Sequence, residues 1–260
     1  YSSFPVLRFA QSKGIPSFIH ESNSFAGKAN IMLGRKATRI FVASDGMEKF
    51  FPAAKITESG NPVRATIANS GLSREEGIRF FGLDPAKKTV LSIGGSLGAK
   101  SINESLDKAI DEFGLNNLQL IWQTGKPYAA RGKERAAGRP DVWVSDFINQ
   151  MEYAYAAADL VISRSGAMAI AELCVTKKAA VFVPFPYAAE DHQTANAQSL
   201  VNKGAGILIP DREALEKLVP AVVSLSKDET KQESLKRQIG MLAVANADEK
   251  IATEILKHIG

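Results

Sequence analysis

The sequence predicts an α/β protein of doubly wound parallel sheets with helices on both faces. Three observations point there. Short apolar runs alternate with helical stretches along almost the whole chain. Two of those runs, VLSIGGSLGAKSINESL (residues 90–106) and SRSGAMAIAE (residues 163–172), stop in glycine and restart as a helix. From residue 211 onward the pattern is almost entirely helical.

The elements follow in order. Residues 5–14 read as a helix ending in Gly14, and residues 16–20 as a strand. A helix over 26–37, a strand over 38–44, a short helix over 45–51 and a short strand over 53–57 come next. Residues 58–72, rich in Gly, Pro and Asn, read as a linker. Ser73 and Glu76 have the spacing of a capping box before a helix. Strands are then expected over 88–95, 118–125, 141–147, 159–166, 179–185 and 205–209. Between them fall helices over 100–113, a Lys/Arg-rich stretch, 149–158, 167–176 and 192–204. The first residue is Tyr1, and the opening helix has no earlier strand to cross over from. A chain with an incomplete amino-terminal domain is the expectation.

The bulk figures narrow the function classes. The chain has 260 residues, 45% hydrophobic and 23% charged, with a net charge of +4. Its isoelectric point is near 9.0 and its mean hydropathy −0.08. Lys and Arg are scattered rather than blocked, which speaks against a nucleic-acid partner. The single cysteine, Cys174, cannot form an internal disulfide. No apolar run approaches the roughly 20 residues that span a bilayer. HExxH, CxxC and His/Cys clusters are absent, so no metal site is expected. Asp-x-Asp is absent too, and a diphosphate would have to rely on backbone amides and Arg. No cofactor is expected.

In a doubly wound sheet, ligands sit beyond the carboxyl ends of the strands. Three loops there carry unusual residues. Gly94, Gly95 and Gly98 let backbone N–H groups approach a ligand, Ser96 adds a hydroxyl, and the following helix offers its amino terminus to an anion. The spacing is neither GxGxxG nor a P-loop, and a tight strand–helix turn explains the glycines equally well. Ser165 and Gly166 open a second such helix, with Glu172 two turns on. A carboxylate there can accept ribose hydroxyls, and a solvated helical glutamate is the plainer reading. In PFPYAAEDHQTANA (residues 184–197), Glu190 and Asp191 suit a helix start by charge alone. Gln193 and Asn196 suit sugar hydroxyls, and His192 is a possible base or a structural histidine. Outside these loops stand His20-Glu21-Ser22-Asn23 and Gly60-Asn61-Pro62-Val63-Arg64; Arg64 would neutralise a phosphate at a domain junction.

In this order, HESNSFAGKAN, GNPVR, GGSLGA, FINQM, SRSGAMAIAE and VPFPYAAEDHQTANA resemble the MurG family of bacterial GT-B glycosyltransferases over essentially the whole chain. That family transfers N-acetylglucosamine from UDP-N-acetylglucosamine to the lipid-linked muramyl-pentapeptide, lipid I, giving lipid II. The resemblance implies a division into residues 1–66, the end of the acceptor domain with its linker; 67–240, the donor domain; and 241–260, a terminal helix returning to the first. It implies donor contacts from Gly95, Ser96 and Gly98 to the diphosphate and from Ile148 to uracil. Ser165, Gly166, Ala167, Met168, Ala169, Ile170, Ala171 and Glu172 would line the nucleotide, with Glu172 on the ribose. Gln193 would meet the sugar, and Asn23 and Arg64 would contribute from the junction. The catalytic base is expected upstream of Tyr1, with His20 at most in support, so that this chain binds donor and turns over little. The implied partners are UDP-N-acetylglucosamine, lipid I and the cytoplasmic membrane surface; the implied place is the cytoplasmic face of the bacterial inner membrane, peripherally bound. The residues alone also allow another UDP-sugar GT-B transferase, a UDP-sugar 2-epimerase or a non-catalytic UDP-sugar-binding fragment. A nicotinamide oxidoreductase is disfavoured by the missing GxGxxG.

Overall fold

A computed structural model describes residues 3–95 and 97–259. Among them are two parallel sheets. The smaller joins β1 (Phe18–Glu21), β2 (Arg39–Val42) and β3 (Ile56–Glu58) in that order. The larger contains β4 (Lys88–Ile93), β5 (Leu118–Gln123), β6 (Val142–Ser145), β7 (Leu160–Ser163), β8 (Ala179–Phe182) and β9 (Ile207–Leu208). Its spatial order is β6-β5-β4-β7-β8-β9, the order of dinucleotide-binding folds.

Alternation of side chains explains why the larger sheet needs helices on both faces. Val90, Leu120, Trp122, Leu160, Ile162 and Val181 enter one core, which the helices Lys100–Lys108 and Ala214–Lys227 cover. Leu91, Ile93, Ile121, Val161, Ala180 and Phe182 enter the other, covered by Arg74–Phe81, Met151–Ala157 and Ala167–Val175. One buried polar pair links these layers: Trp122 Nε1 donates to Asn103 Oδ1 at 2.8 Å, and Asn103 Nδ2 donates to the Thr124 carbonyl at 2.8 Å. The predicted capping box forms, with Ser73 and Glu76 each accepting from the other's backbone N–H.

Several boundaries differ from the sequence expectation. The helix expected over 100–113 is two, Lys100–Lys108 and Asp111–Leu115, because the bend lets both Ile110 and Phe113 reach the core before the chain turns into β5. The strand over 205–209 shrinks to Ile207–Leu208; the Ile209 N–H still donates to the Phe182 carbonyl at 2.9 Å before the chain turns at Pro210 into the 3₁₀ turn Asp211–Glu213. The short helix at 45–51 is a single 3₁₀ turn, Met47–Lys49, and Ala53–Lys55 forms another before β3. The linker holds one turn of helix, Ala65–Ala68, begun by Arg64.

The terminal helix Ala247–Ile259 lies on the small sheet. Arg39 pairs with Glu254 at 3.0 Å, the His258 ring meets Phe18 at 6.2 Å, and Lys250 donates to the Glu58 carbonyl. Among the described residues no helix is long and apolar enough to cross a membrane.

One lysine sets a pH dependence. Lys178, half-buried ahead of β8, donates to the Ala158 carbonyl at 2.8 Å; burial pushes its pKa down to about 8, against an opposing pull from Asp159. Between pH 8 and the ordinary 10.5 the unfolded chain therefore binds more protons than the native one, and stability rises with pH. Lys178→Met is expected to stabilise the fold most below pH 8 and to lose that advantage by pH 10.5. Thermal melts of the two proteins across this range check it; a constant difference in melting temperature would sink the assignment.

Candidate functional site

From β4 the chain crosses to β5, and from β7 it crosses the other way to β8. The two carboxyl ends thus leave a crevice between them. A cavity of about 430 Å³ occupies it. Gly94, Gly95 and Gly98 form one wall, Arg164 and Gly166 another, and Ile148, Met151, Phe147 and Phe185 an apolar side. Glu172, Gln193, Gln123 and Arg64 supply polar groups.

The glycines are dictated by space and by backbone angle. Gly98 has φ +73°, and a Cβ there would stand 2.1 Å from the Thr124 carbonyl oxygen. A Cβ on Gly94 would meet the Ala99 nitrogen at 2.5 Å. Gly95 has φ +80° but open space around it, as expected of a residue facing a ligand. The helix Lys100–Lys108 begins with no side-chain cap, so its first N–H groups remain available to an anion. Gly166 opens the helix Ala167–Val175 in the same uncapped way, with no atom within 4 Å of where its Cβ would lie. Two helix amino termini thus serve one crevice. Ser96 lies outside the described residues.

Glu172 is fixed from two sides. The hydroxyl of Tyr155 donates to Oε2 at 2.8 Å, and the Arg64 guanidinium stands 3.6 Å from Oε1. The Tyr155 ring is buried, and burial together with the neighbouring carboxylate holds its hydroxyl well above the usual tyrosine range. It is a donor to Glu172 under all ordinary conditions.

The remaining expected residues separate into those on the cleft and those behind it. Gln193 lines the cleft, and its Oε1 accepts from the Phe185 N–H at 3.0 Å. Ser165 is fully buried and donates its hydroxyl to the Gln193 carbonyl at 2.7 Å, which places it behind the wall. Ile148 gives its N–H to Gln123 Oε1 at 3.1 Å, leaving its carbonyl for any ligand. Within 167–172 only Ala169 and Glu172 line this cleft. Ala167, Ile170 and Ala171 border a separate 260 Å³ cavity between the two sheets, and Met168 is 44% exposed. Helical periodicity forbids six consecutive side chains from sharing one ligand.

Asn23 lies at the junction rather than in the cleft. Asn196 Nδ2 donates to Asn23 Oδ1 at 3.1 Å and to the Ser165 carbonyl at 3.2 Å, and its Oδ1 accepts from the Ser24 N–H at 2.8 Å. One buried amide therefore ties the small-sheet loop to the wall of the cleft. His20 Nε2–H donates to the Gly60 carbonyl at 2.9 Å, and its Nδ1 accepts from the Ser22 hydroxyl at 3.1 Å. Both ring nitrogens are engaged, one with the linker and one with the loop after β1. Glu190 and Asp191 adopt left-handed backbone angles, φ +55° and +51°, at the turn into the helix His192–Asn202.

Sequence reasoning passed over several lining residues, among them Arg164, Gln123, Phe147 and Phe185. Arg164 sits inside the SRSG motif; it donates to the Val183 and Pro184 carbonyls, pairs with Asp211 and lies over the Phe185 ring. Gln123 was signalled only by being polar at a strand end; its Nε2 donates to the Gly95 carbonyl at 3.2 Å. Phe147 and Phe185 gave no signal beyond an aromatic at the end of an expected strand.

Residues 89–254 match the glycosyltransferase family 28 C-terminal domain. The chain is 48% identical over 262 aligned positions to the UDP-N-acetylglucosamine–N-acetylmuramyl-(pentapeptide) pyrophosphoryl-undecaprenol N-acetylglucosamine transferase of Parabacteroides distasonis, covering 100% of this chain and 71% of that protein. The transferase of the same description from Porphyromonas gingivalis is 45% identical, with 100% and 69% covered. Among solved structures, Acinetobacter baumannii MurG superposes with a TM-score of 0.81 at 30% identity, over 99% of this chain and 71% of that one.

Proposed function

The chain belongs to the family of UDP-N-acetylglucosamine–N-acetylmuramyl-(pentapeptide) pyrophosphoryl-undecaprenol N-acetylglucosamine transferases, and from that premise we propose how its residues divide the work. The reaction of the family carries N-acetylglucosamine from UDP-N-acetylglucosamine to lipid I, forming lipid II. The fold is that of GT-B enzymes. We assign the cleft between β4 and β7 to the donor. The observation that carries the assignment is the convergence of two uncapped helix amino termini and one fixed carboxylate on a single crevice.

In this reading the diphosphate lies over Gly95 and Gly98 and at the amino terminus of Ala167–Val175, where N–H groups and helix dipoles favour negative charge. Glu172 accepts ribose hydroxyls. The Ile148 carbonyl accepts from uracil, and Phe147, Met151 and Phe185 cover the base and exclude water. Gln193 meets the sugar. The acceptor C4 hydroxyl attacks the anomeric carbon on the face away from UDP; the new C–O bond forms as the sugar–phosphate bond breaks, and configuration inverts. Negative charge grows on the departing diphosphate, where preorganised amides stabilise it most in the transition state. The hydroxyl proton passes to a base of the acceptor side. His20, with both nitrogens engaged, is assigned to holding Gly60 instead.

Residues 1–66 belong to the acceptor half, 67–240 to the donor half, and 241–260 to the helix that returns. We assign the enzyme, as one working on a lipid-linked acceptor, to peripheral binding at the cytoplasmic face of the inner membrane.

Calorimetry tests the donor assignment. UDP-N-acetylglucosamine and UDP are expected to bind and NADH not to. Gln193→Ala should weaken UDP-N-acetylglucosamine about tenfold while leaving UDP almost unchanged, the loss of one or two sugar contacts. Equal weakening of both would remove Gln193 from the sugar; equal binding of NADH would remove the donor assignment.

A further inference from the structure

Glu172 is the one carboxylate lining the cleft among the described residues, and its two oxygens are not equivalent. Oε2 points into the layer of helices, where the Tyr155 hydroxyl holds it at 2.8 Å. Oε1 faces the cleft, where the Arg64 guanidinium stands 3.6 Å away, too long for a hydrogen bond but within ion-pair range. Arg64 is the more loosely held partner: its side chain is 58% exposed, against 15% for Glu172. Tyr155 is 1% exposed and comes from a different helix, Met151–Ala157, packed in the same core. One oxygen is thus fixed from inside the protein, and the other is met by a largely exposed cation at ion-pair distance.

We propose that Tyr155 is a positioning residue for ribose recognition: it pins Glu172 Oε2 so that Oε1, the oxygen now facing Arg64, is presented to a ribose hydroxyl of the donor. This rests on the reading of Glu172 as the ribose acceptor. A carboxylate on a helix has several rotamers, and holding one in a covered position requires a donor on the inner oxygen. The tyrosine hydroxyl is that donor. On donor binding the ribose hydroxyl takes the place of Arg64 at Oε1, and the guanidinium is freed at the rim of the same cleft, on the side where the diphosphate is assigned.

The test uses Tyr155→Phe, which keeps the buried ring and removes only the hydroxyl. Binding of UDP and of 2′,3′-dideoxy-UDP is measured by calorimetry on the whole chain, wild type and variant, with a thermal melt of each. Tyr155→Phe is expected to weaken UDP about tenfold, the value of one charge-assisted hydrogen bond, and to leave dideoxy-UDP unchanged. A merely structural tyrosine would lower the melting temperature and weaken both ligands alike, which overturns the proposal. Glu172→Gln separates the layers of the argument. If it narrows the gap between UDP and dideoxy-UDP while Tyr155→Phe does not, Glu172 still reads the ribose and only the role of Tyr155 falls. If wild type binds the two nucleotides equally, or the folded chain binds neither, the ribose reading falls and the proposal with it.

Discussion

Glu172→Ala is expected to weaken UDP-N-acetylglucosamine by about 100-fold, the upper range for losing a hydrogen bond to a charged acceptor. The change removes the ribose acceptor and leaves two former partners, Tyr155 and Arg64, without their carboxylate. The stranded tyrosine hydroxyl is buried, so roughly 1–3 kcal/mol of stability should go with it. A donor titration followed by a urea melt reads the two losses separately. An unchanged donor affinity in a variant that melts earlier would reduce Glu172 to a structural residue and would refute the ribose assignment outright.

Gly98→Ala is expected to damage the fold and the site together. Its Cβ would collide with the Thr124 carbonyl at 2.1 Å, and its backbone angle of +73° is one that alanine avoids. The neighbouring Gly125, at φ +73°, packs on the same backbone, since a Cβ on it would stand 2.3 Å from the Gly98 nitrogen. Neither loop can retreat without moving the other. The expected destabilisation is about 3 kcal/mol or more, in the range of strained and overpacked sites, with loss of donor binding even where the chain remains folded. Gly95→Ala is the control. It shares the positive backbone angle but has nothing within 4 Å of its Cβ, so it should cost roughly 1 kcal/mol. Urea melts of the pair would show whether space or backbone angle dominates; equal losses would mean that the Gly98–Thr124 contact carries no weight.

The layered α/β architecture was legible because its signals are local. A glycine turn between strand and helix, a serine three residues before a glutamate, and runs of alternating period all lie within a few residues of one another. The three loops that build the cleft were legible for the same reason. The strand order was not, since nothing in β4 or β7 says that they are neighbours and that β5 and β8 lie outside them. Partnerships across the fold were equally hidden. Tyr155 and Glu172 are 17 positions apart on separate helices, and His20 and Gly60 are 40 apart. Ser165 was expected to line the nucleotide, and only packing decides that its hydroxyl turns to the Gln193 carbonyl instead. The break between Lys100–Lys108 and Asp111–Leu115 has neither Gly nor Pro at its joint, so only the burial of Ile110 and Phe113 accounts for it.

The glycine walls of the cleft have one more consequence. The donor groups they offer belong to the main chain, and a substitution cannot delete them as it deletes a lysine or a serine. Damage there must come by addition, through a side chain that fills the space or forces the backbone to turn. At Gly94 and Gly98 that bulk meets protein, and at Gly95 and Gly166 it meets only the open crevice. The first pair therefore guards the shape of the wall, and the second keeps the room in front of it clear.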